Sequence, residues 1–445
     1  MDVGQWTLEK FFLTPLSILH SPLSILQLPT MIDFQRYTLS NGLKVILHDD
    51  TATPLIALNI LYNVGSRDEN PEHTGLAHLF EHLMFGGSKN AKDYDTPIQQ
   101  AGGESNAFTN NDMTNYHAVV PTENLETLMW LESDRMLSLL LTQKSLNVQK
   151  KVVVEEFTET TLNEPYGDVW HHLGDLVFKK HPYRWPVIGL VPEHVEKTTL
   201  ESAQTFYKNH YAPDNAILCI AGNITQLGGY DAVLDMVKKW FEAVPAQGRT
   251  KTDLPQEDEQ LERRTKTVSG KVPTSALYMT FHGFARMHPN YYALDLITDI
   301  LSGGASSVLY QKLVKENHIF SEIDCFQTGS MDAGLFLIEG KPMPGITLET
   351  AEKAVWEQLT FLKNNLVSER ELEKLKNKIE SQNTFSDAGA LAKAMSLSMY
   401  ELVGDANLIN TEINFYRALT PPDIQRVAQS LFLEEKISVL YYLAA

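Results

Sequence analysis

Apolar residues recur every three or four positions after Thr74, and this spacing predicts an amphipathic helix. Gly86-Gly87 gives a stop signal, and the apolar stripe consists of Leu76, Leu79, Phe80, Leu83 and Met84. At about 100° per residue, the opposite face carries His78, Glu81 and His82. Two imidazoles four positions apart can bind one Zn²⁺, and a glutamate beside the second can accept a proton from water. This segment alone leaves open the alternative that its polar face is merely solvated.

Alternating patterns on either side of this helix predict strands and further helices. An Asn41-Gly42 turn separates the first two strands, and Asn110-Asn111-Asp112 is the predicted turn of a second hairpin. The pattern predicts strands over 34–39, 43–47, 55–62, 105–109 and 114–120, and long helices over 123–141 and 144–162. A mixture of sheets and helices of this kind indicates an α+β fold.

The second half of the chain repeats the order of the first. Thr420–Phe432 followed by Ile437–Leu443 corresponds to Thr199–Tyr211 followed by Ala216–Ala221 at a constant offset of 221 residues, which is 420 minus 199 and 437 minus 216. A duplicated domain explains this echo, although helix-then-strand is also a common unit. A polar stretch lies between the halves. We therefore predict an N-terminal extension over 1–30, a first domain over 31–245, a linker over 246–273 and a second domain over 274–445.

The composition indicates a globular enzyme-sized protein. The net charge is -19, which argues against a nucleic-acid-binding surface and is most simply explained by solubility. Cys219 and Cys325 lie in apolar runs and are expected to be core residues. Residues 1–30 repeat PLSIL but contain Asp2 and Glu9, so they fit neither a signal nor a transit peptide, and Met31 is an alternative start. With no apolar run of membrane length, we predict a cytoplasmic protein without a membrane partner.

Several motifs together carry a resemblance to a known family. They are the approach Gly65-Ser66-Arg67-Asp68-Glu69, the HxxEH core, the run from Gly102 to Thr109, Val153-Val154-Glu155-Glu156, His181-Pro182-Tyr183, and Gly303-Gly304-x-Ser306-Ser307-x-Leu309-Tyr310. From about Met31 to the C-terminus the chain resembles the M16 zinc metallopeptidases, the group of mitochondrial processing peptidase, pitrilysin and insulin-degrading enzyme. The resemblance implies two homologous αβ domains that form a half-clamshell, each a mainly antiparallel sheet packed with helices.

The resemblance also implies the metal site and the reaction. His78, His82 and Glu156 are expected to hold one Zn²⁺ per chain, and Glu81 is expected to act as the general base in peptide-bond hydrolysis. Glu159 lies one turn beyond Glu156 and is the competing candidate for the third ligand. Glu155 is expected to face away or to support the ligands from behind.

A predicted edge strand is the expected substrate-binding element. By resemblance, an extended peptide adds to the strand formed by Asn106, Ala107, Phe108 and Thr109. Asn106 is expected to contact the substrate backbone. An ordinary half-buried strand is the alternative that the residues alone would favour.

The chain departs from the family pattern at three positions. Gln149 stands where a second functional glutamate is usual, and glutamine cannot ionise. Val314 and Ser321 stand where active members carry an arginine and a tyrosine that bind substrate. We therefore predict a heterodimer in which an M16-type sibling subunit supplies the arginine and tyrosine. A non-catalytic scaffold or peptide-binding subunit of the same fold is the alternative function.

Overall fold

Two β-sheets and their packed helices form the fold in the computed structural model, which describes residues 31–248 and 253–445. The strands are β1 (Gln35–Thr38), β2 (Lys44–Asp49), β3 (Leu55–Tyr62), β4 (Glu104–Thr109), β5 (Thr114–Pro121), β6 (Ala216–Gly222), β7 (Arg264–Gly270), β8 (Ala276–His282), β9 (Phe320–Gln327), β10 (Leu335–Pro342) and β11 (Ser438–Ala444). The extension predicted over 1–30 lies outside the described residues.

Helices account for most of the remaining described chain. They are α1 (Leu76–Met84), α2 (Asp95–Gln100), α3 (Leu125–Ser138), α4 (Gln143–Phe157), α5 (Val169–Val177), α6 (Pro192–Glu196), α7 (Leu200–His210), α8 (Tyr230–Phe241), α9 (Tyr291–Ser302), α10 (Leu348–Asn364), α11 (Glu369–Ser386), α12 (Ala390–Val403), α13 (Leu408–Thr411), α14 (Ile413–Ala418) and α15 (Pro421–Leu431). A π-helical turn, Thr158–Asn163, follows α4 and completes the long helix predicted there. None of the described helices is long and apolar enough to cross a membrane.

The two sheets share one topology. The first has the order β1-β2-β6-β3-β5-β4 and the second has the order β7-β11-β8-β10-β9. Without β1 the two orders correspond strand by strand. Each sheet contains one parallel pair, β2 with β6 and β7 with β11, and antiparallel neighbours elsewhere. The predicted α+β fold of two related domains with mainly antiparallel sheets is therefore confirmed.

Each sheet has a large core on one face, and the two halves exchange a helix on the other. α12 belongs to the second half but packs on β3 and β6 of the first sheet, while α5 of the first half packs on the second sheet. At the α12 contact, Asn59 Nδ2 donates to Ser398 Oγ at 2.9 Å and Lys393 pairs with Asp50 at 2.6 Å. This exchange joins the halves into one unit that spans Ile32–Ala445.

The linker predicted over 246–273 is too long, because β7 (Arg264–Gly270) lies within it. This strand pairs in parallel with β11 and forms an edge of the second sheet. Its residues alternate between half-buried and exposed, without one fully buried side chain. The polar composition that indicated a linker is that of an edge strand, where charged side chains are common.

Candidate metal centre and active site

The helix α1 is fixed at its N-terminus by a buried carboxylate. Glu69 accepts hydrogen bonds from the amides of Gly75 at 2.9 Å and Ala77 at 2.8 Å. Burial raises the pKa of the Glu69 carboxyl to about 8, and the two amides oppose that shift. Gly75 begins the helix in the left-handed region (φ 89°), where a Cβ would lie 2.8 Å from the carbonyl oxygen of Ile188. The apolar stripe predicted for α1 is buried in the first core.

The opposite face of α1 and the helix α4 bring three potential ligands together. His78 Nε2 lies 3.3 Å from His82 Nε2 and 3.7 Å from Glu156 Oε1, and His82 Nε2 lies 3.3 Å from Glu156 Oε2. Ligand atoms at zinc-like bond lengths on a tetrahedron are separated by roughly 3.3–3.6 Å. The three side chains therefore fit one Zn²⁺. Among the described residues they are also the one group of three His, Cys, Asp or Glu side chains close enough to share an ion.

The electrostatics of the site favour metal-binding protonation states. Burial lowers the pKa of the His78 imidazole, although the Glu156 carboxylate partly opposes this. The hydrogen bond from His82 lowers the pKa of the Glu156 carboxyl. At neutral pH His78 is thus neutral and Glu156 is ionised, which are the forms that bind a cation.

The other candidates for the third ligand lie elsewhere on the same helical segment. Glu155 and Glu159 are both exposed, whereas Glu156 is half-buried and faces the two histidines. Gln149 is half-buried, two turns before Glu156 on α4. Of the two candidates weighed from the sequence, the structure brings Glu156 to the histidines.

Glu81 lies beside the three ligands and is held by the end of β4. Thr109 Oγ1 donates a hydrogen bond of 2.5 Å to Glu81 Oε2. The sequence identified Thr109 only as a substrate-binding candidate, so its contact with the candidate base was missed. Strand alternation places Thr109 and Ala107 on the α1 side of the sheet, but nothing local in the sequence indicates which carboxylate the hydroxyl meets.

Among the described residues, the strand β4 presents an open edge of the first sheet, since it pairs with β5 alone. Asn106 is exposed, and its Oδ1 accepts a hydrogen bond of 2.8 Å from the amide of Ala107. Ala107 packs against the first core, whereas Phe108 packs on the opposite face with the residues under α12. The four predicted substrate residues therefore divide between the two faces of an edge strand that ends next to Glu81.

At the two positions where the family carries an arginine and a tyrosine, the second half has Val314 and Ser321. Val314 packs against the second core. Ser321 is exposed on β9, and its hydroxyl donates to the carbonyl oxygen of Lys341 at 2.9 Å. Neither side chain offers the positive charge or the long hydrogen-bond donor expected for a substrate clamp.

The helix α9 of the second half is the counterpart of α1 and carries no histidine. α9 packs on β9 and α11 as α1 packs on β4 and α4, and a Gly-Gly pair follows both α1 and α9 within two residues. This alignment sets Asp295, Thr298 and Asp299 against His78, Glu81 and His82. Lys378 Nζ of α11 lies 2.8 Å from Asp299 Oδ1, as the Glu156 carboxylate lies close to His82. An ion pair therefore occupies the position at which the first half brings His82 and Glu156 together.

In this duplicated fold two histidines and a carboxylate converge beside a further glutamate, a combination of side chains suited to zinc-assisted hydrolysis. The family model "Insulinase (Peptidase family M16)" matches residues 44–188, and "Peptidase M16 inactive domain" matches residues 197–379. The chain therefore belongs to peptidase family M16.

Relatives and solved structures agree with this assignment. The chain is 28% identical to the zinc protease PqqE of Helicobacter pylori over 91% of both chains. A crystal structure of a protease from Helicobacter pylori superposes with a TM-score of 0.85 at 27% identity, covering 92% of this chain and 99% of that one. The periplasmic protease PqqL of Escherichia coli has the same fold, with a TM-score of 0.77 at 15% identity. That match covers 93% of this chain but 48% of PqqL.

Proposed function

We propose that this protein is a zinc-dependent endopeptidase that hydrolyses peptides or unfolded segments. His78, His82 and Glu156 bind one Zn²⁺ per chain, and Glu81 is the general base. The observation that supports this most directly is the convergence of the three ligand atoms within 4.8 Å of one another, next to a carboxylate outside the ligand group. A cytoplasmic location and the absence of nucleic-acid or membrane partners remain predictions from the sequence.

In the proposed hydrolysis, Glu81 transfers the proton and β4 binds the peptide. When bound, Zn²⁺ supplies a Lewis acid that polarises the peptide carbonyl and lowers the pKa of water. Glu81 accepts the proton of the attacking water and delivers it to the leaving amine. The hydrogen bond from Thr109 Oγ1 to Oε2 holds the Glu81 carboxylate in place. The open edge of β4 binds the peptide as an added strand once the Asn106 side chain leaves the Ala107 amide.

A sibling subunit of the same fold is the proposed partner. Val314 and Ser321 leave the substrate clamp without its arginine and tyrosine. The match to about half of PqqL supports a functional unit built from two chains of this size. Because Val314 and Ser321 replace the arginine and the tyrosine, they also favour the alternative function, a non-catalytic or peptide-binding M16 subunit.

Reconstitution with a sibling separates these two functions. We expect the purified chain to bind zinc yet cleave peptides poorly, and to gain at least about tenfold in kcat/KM when a sibling with arginine and tyrosine is added, because one charge-assisted contact contributes about 1.5–3 kcal/mol. Cleavage of a fluorogenic peptide would be measured with each chain alone and with both. Strong proteolysis by a demonstrated monomer would refute partner dependence, and no cleavage in any mixture would favour the scaffold.

Glu156→Gln tests the third ligand. We expect zinc affinity to fall at least about 100-fold, because a neutral amide replaces the one anionic ligand. Glu159→Gln is the matched control, since Glu159 lies one turn further along and is exposed. Competition with a chromogenic chelator measures the affinity. Equal affinities for the two variants would contradict the assignment of Glu156.

A further inference from the structure

Two hairpin turns, one from each half, meet at the end of β4. The first is the turn Asn110–Met113 between β4 and β5, and the second is the turn 328–334 between β9 and β10. These hairpins correspond to each other in the duplicated topology. The contact therefore joins equivalent turns of the two halves, three residues beyond the Thr109 hydroxyl that bonds to Glu81.

Asp112 is the centre of this contact. Its side chain is buried, and Oδ1 accepts hydrogen bonds from Arg67 Nη1 at 2.7 Å and Tyr183 Oη at 2.5 Å. The second oxygen, Oδ2, accepts the backbone N–H of Met331 at 2.9 Å. Tyr183 Oη in turn accepts the backbone N–H of Asp332 at 3.1 Å. One carboxylate thus links two first-half side chains to two backbone amides of the second half.

The contact also extends to the first-half segment that leads to the metal helix. The amide of Arg67 donates to the carbonyl oxygen of Asn111 at 3.0 Å, and the amide of Ser66 donates to that of Asn110 at 3.2 Å. Glu69, two residues after Arg67, accepts the hydrogen bonds that hold the N-terminus of α1. The turn is therefore tied on one side to the base-carrying helix and on the other to the second half.

We infer that Asp112 is a positioning residue that fixes the end of β4, and with it the Thr109 hydroxyl on Glu81, against the second half of the chain. Its hydrogen bonds go to Arg67, Tyr183 and the Met331 amide and not to the candidate ligands or Glu81, so we place its effect on catalysis at the Thr109 hydroxyl. The expected effect on kcat rests on the proposed function, whereas the expected effect on hydrogen exchange does not.

Asp112→Asn separates the contacts of this carboxylate. Asn Oδ1 can still accept from Arg67 and Tyr183, but the amide nitrogen cannot accept the Met331 N–H. We expect hydrogen exchange over residues 104–113 to accelerate about tenfold, because a bond to an ionised acceptor is lost and the turn opens more often. Tyr183→Phe, which removes the link to the Asp332 amide, is expected to give a smaller acceleration and serves as the milder variant.

Asp332→Asn is the matched control. It removes a carboxylate from the same cluster, but that side chain is half exposed and lies 3.5 Å from Arg67, and the backbone N–H is kept. Its exchange over 104–113 is expected to match the wild type. Unchanged exchange in both Asp112→Asn and Tyr183→Phe would overturn the inference whether or not the protein is a peptidase.

A double-mutant cycle provides the catalytic readout. Asp112→Asn and Thr109→Val are each expected to lower kcat about tenfold with little change in KM, and the double variant is expected to be no worse than Thr109→Val alone. Multiplicative losses would show that Asp112 does not act through Thr109. If the wild type cleaves nothing with or without a sibling, the proposed function fails while the exchange experiment still decides the role of Asp112.

Discussion

Replacement of Glu81 by glutamine is expected to lower kcat for peptide hydrolysis by about 10²- to 10⁴-fold, which is the contribution of a well-placed general base. Glutamine has nearly the same shape, and its Oε1 can still accept the hydrogen bond that Thr109 now donates at 2.5 Å. It cannot take up a proton, however, so the attacking water stays neutral. Initial rates on a fluorogenic peptide, with the sibling present, measure the loss.

Metal analysis of the same variant separates loss of the base from loss of the site. Glu81 lies outside the group of three ligand side chains, so Glu81→Gln is expected to keep one zinc per chain. Glu72→Gln, an exposed glutamate in the segment before α1, is the control and should retain full activity. Unchanged cleavage by Glu81→Gln would remove Glu81 from the mechanism, and a loss of zinc would mean that the ligand set is wrong.

The pattern of the sequence predicts α1 and its two candidate ligands because the information that specifies them is local. Four-residue spacing alone places His78 and His82 on one face, and the apolar stripe decides which face is buried. Glu156 comes 74 positions after His82, and nothing in its own helix favours it over Glu159 by periodicity. Its choice depended on the family resemblance, and the structure brings it to the histidines by packing α4 on α1.

Features that depend on distant contacts could not be read from local patterns. The exchange of α5 and α12 between the halves is one example, because the sequence of an apolar helix does not indicate which sheet it packs on. The strand β7 is another, since an edge strand with no fully buried residue has the composition of a linker. The Asp112 contact is a third, because one of its partners is a backbone amide 219 positions away.

The largest stability effect is expected at a buried ion pair within α3. Arg135 and Glu132 of α3 are both about 1% exposed, with Arg135 Nε 2.8 Å from Glu132 Oε2 and Nη2 2.6 Å from Oε1. The guanidinium lies 4.3 Å from the ring centroids of both Tyr94 and Tyr116. Tyr116 donates its hydroxyl to the carbonyl oxygen of Phe80 in α1 at 3.2 Å, so the Arg135–Glu132 pair supports α1 through Tyr116.

Arg135→Met is therefore expected to lower the free energy of unfolding by about 3–5 kcal/mol, because Glu132 is left as a buried charge without its charged partner. At the size of the unit that spans Ile32–Ala445, that corresponds to a fall in Tm of about 3–6 °C. Differential scanning calorimetry measures it, with Lys239→Met as the control, since Lys239 and Glu126 form a surface pair worth at most about 1 kcal/mol. If the charge on Glu132 causes the loss, Glu132→Gln combined with Arg135→Met must be more stable than Arg135→Met alone. A double variant no better than the single one would instead attribute the loss to the packing of Arg135 between the two tyrosine rings.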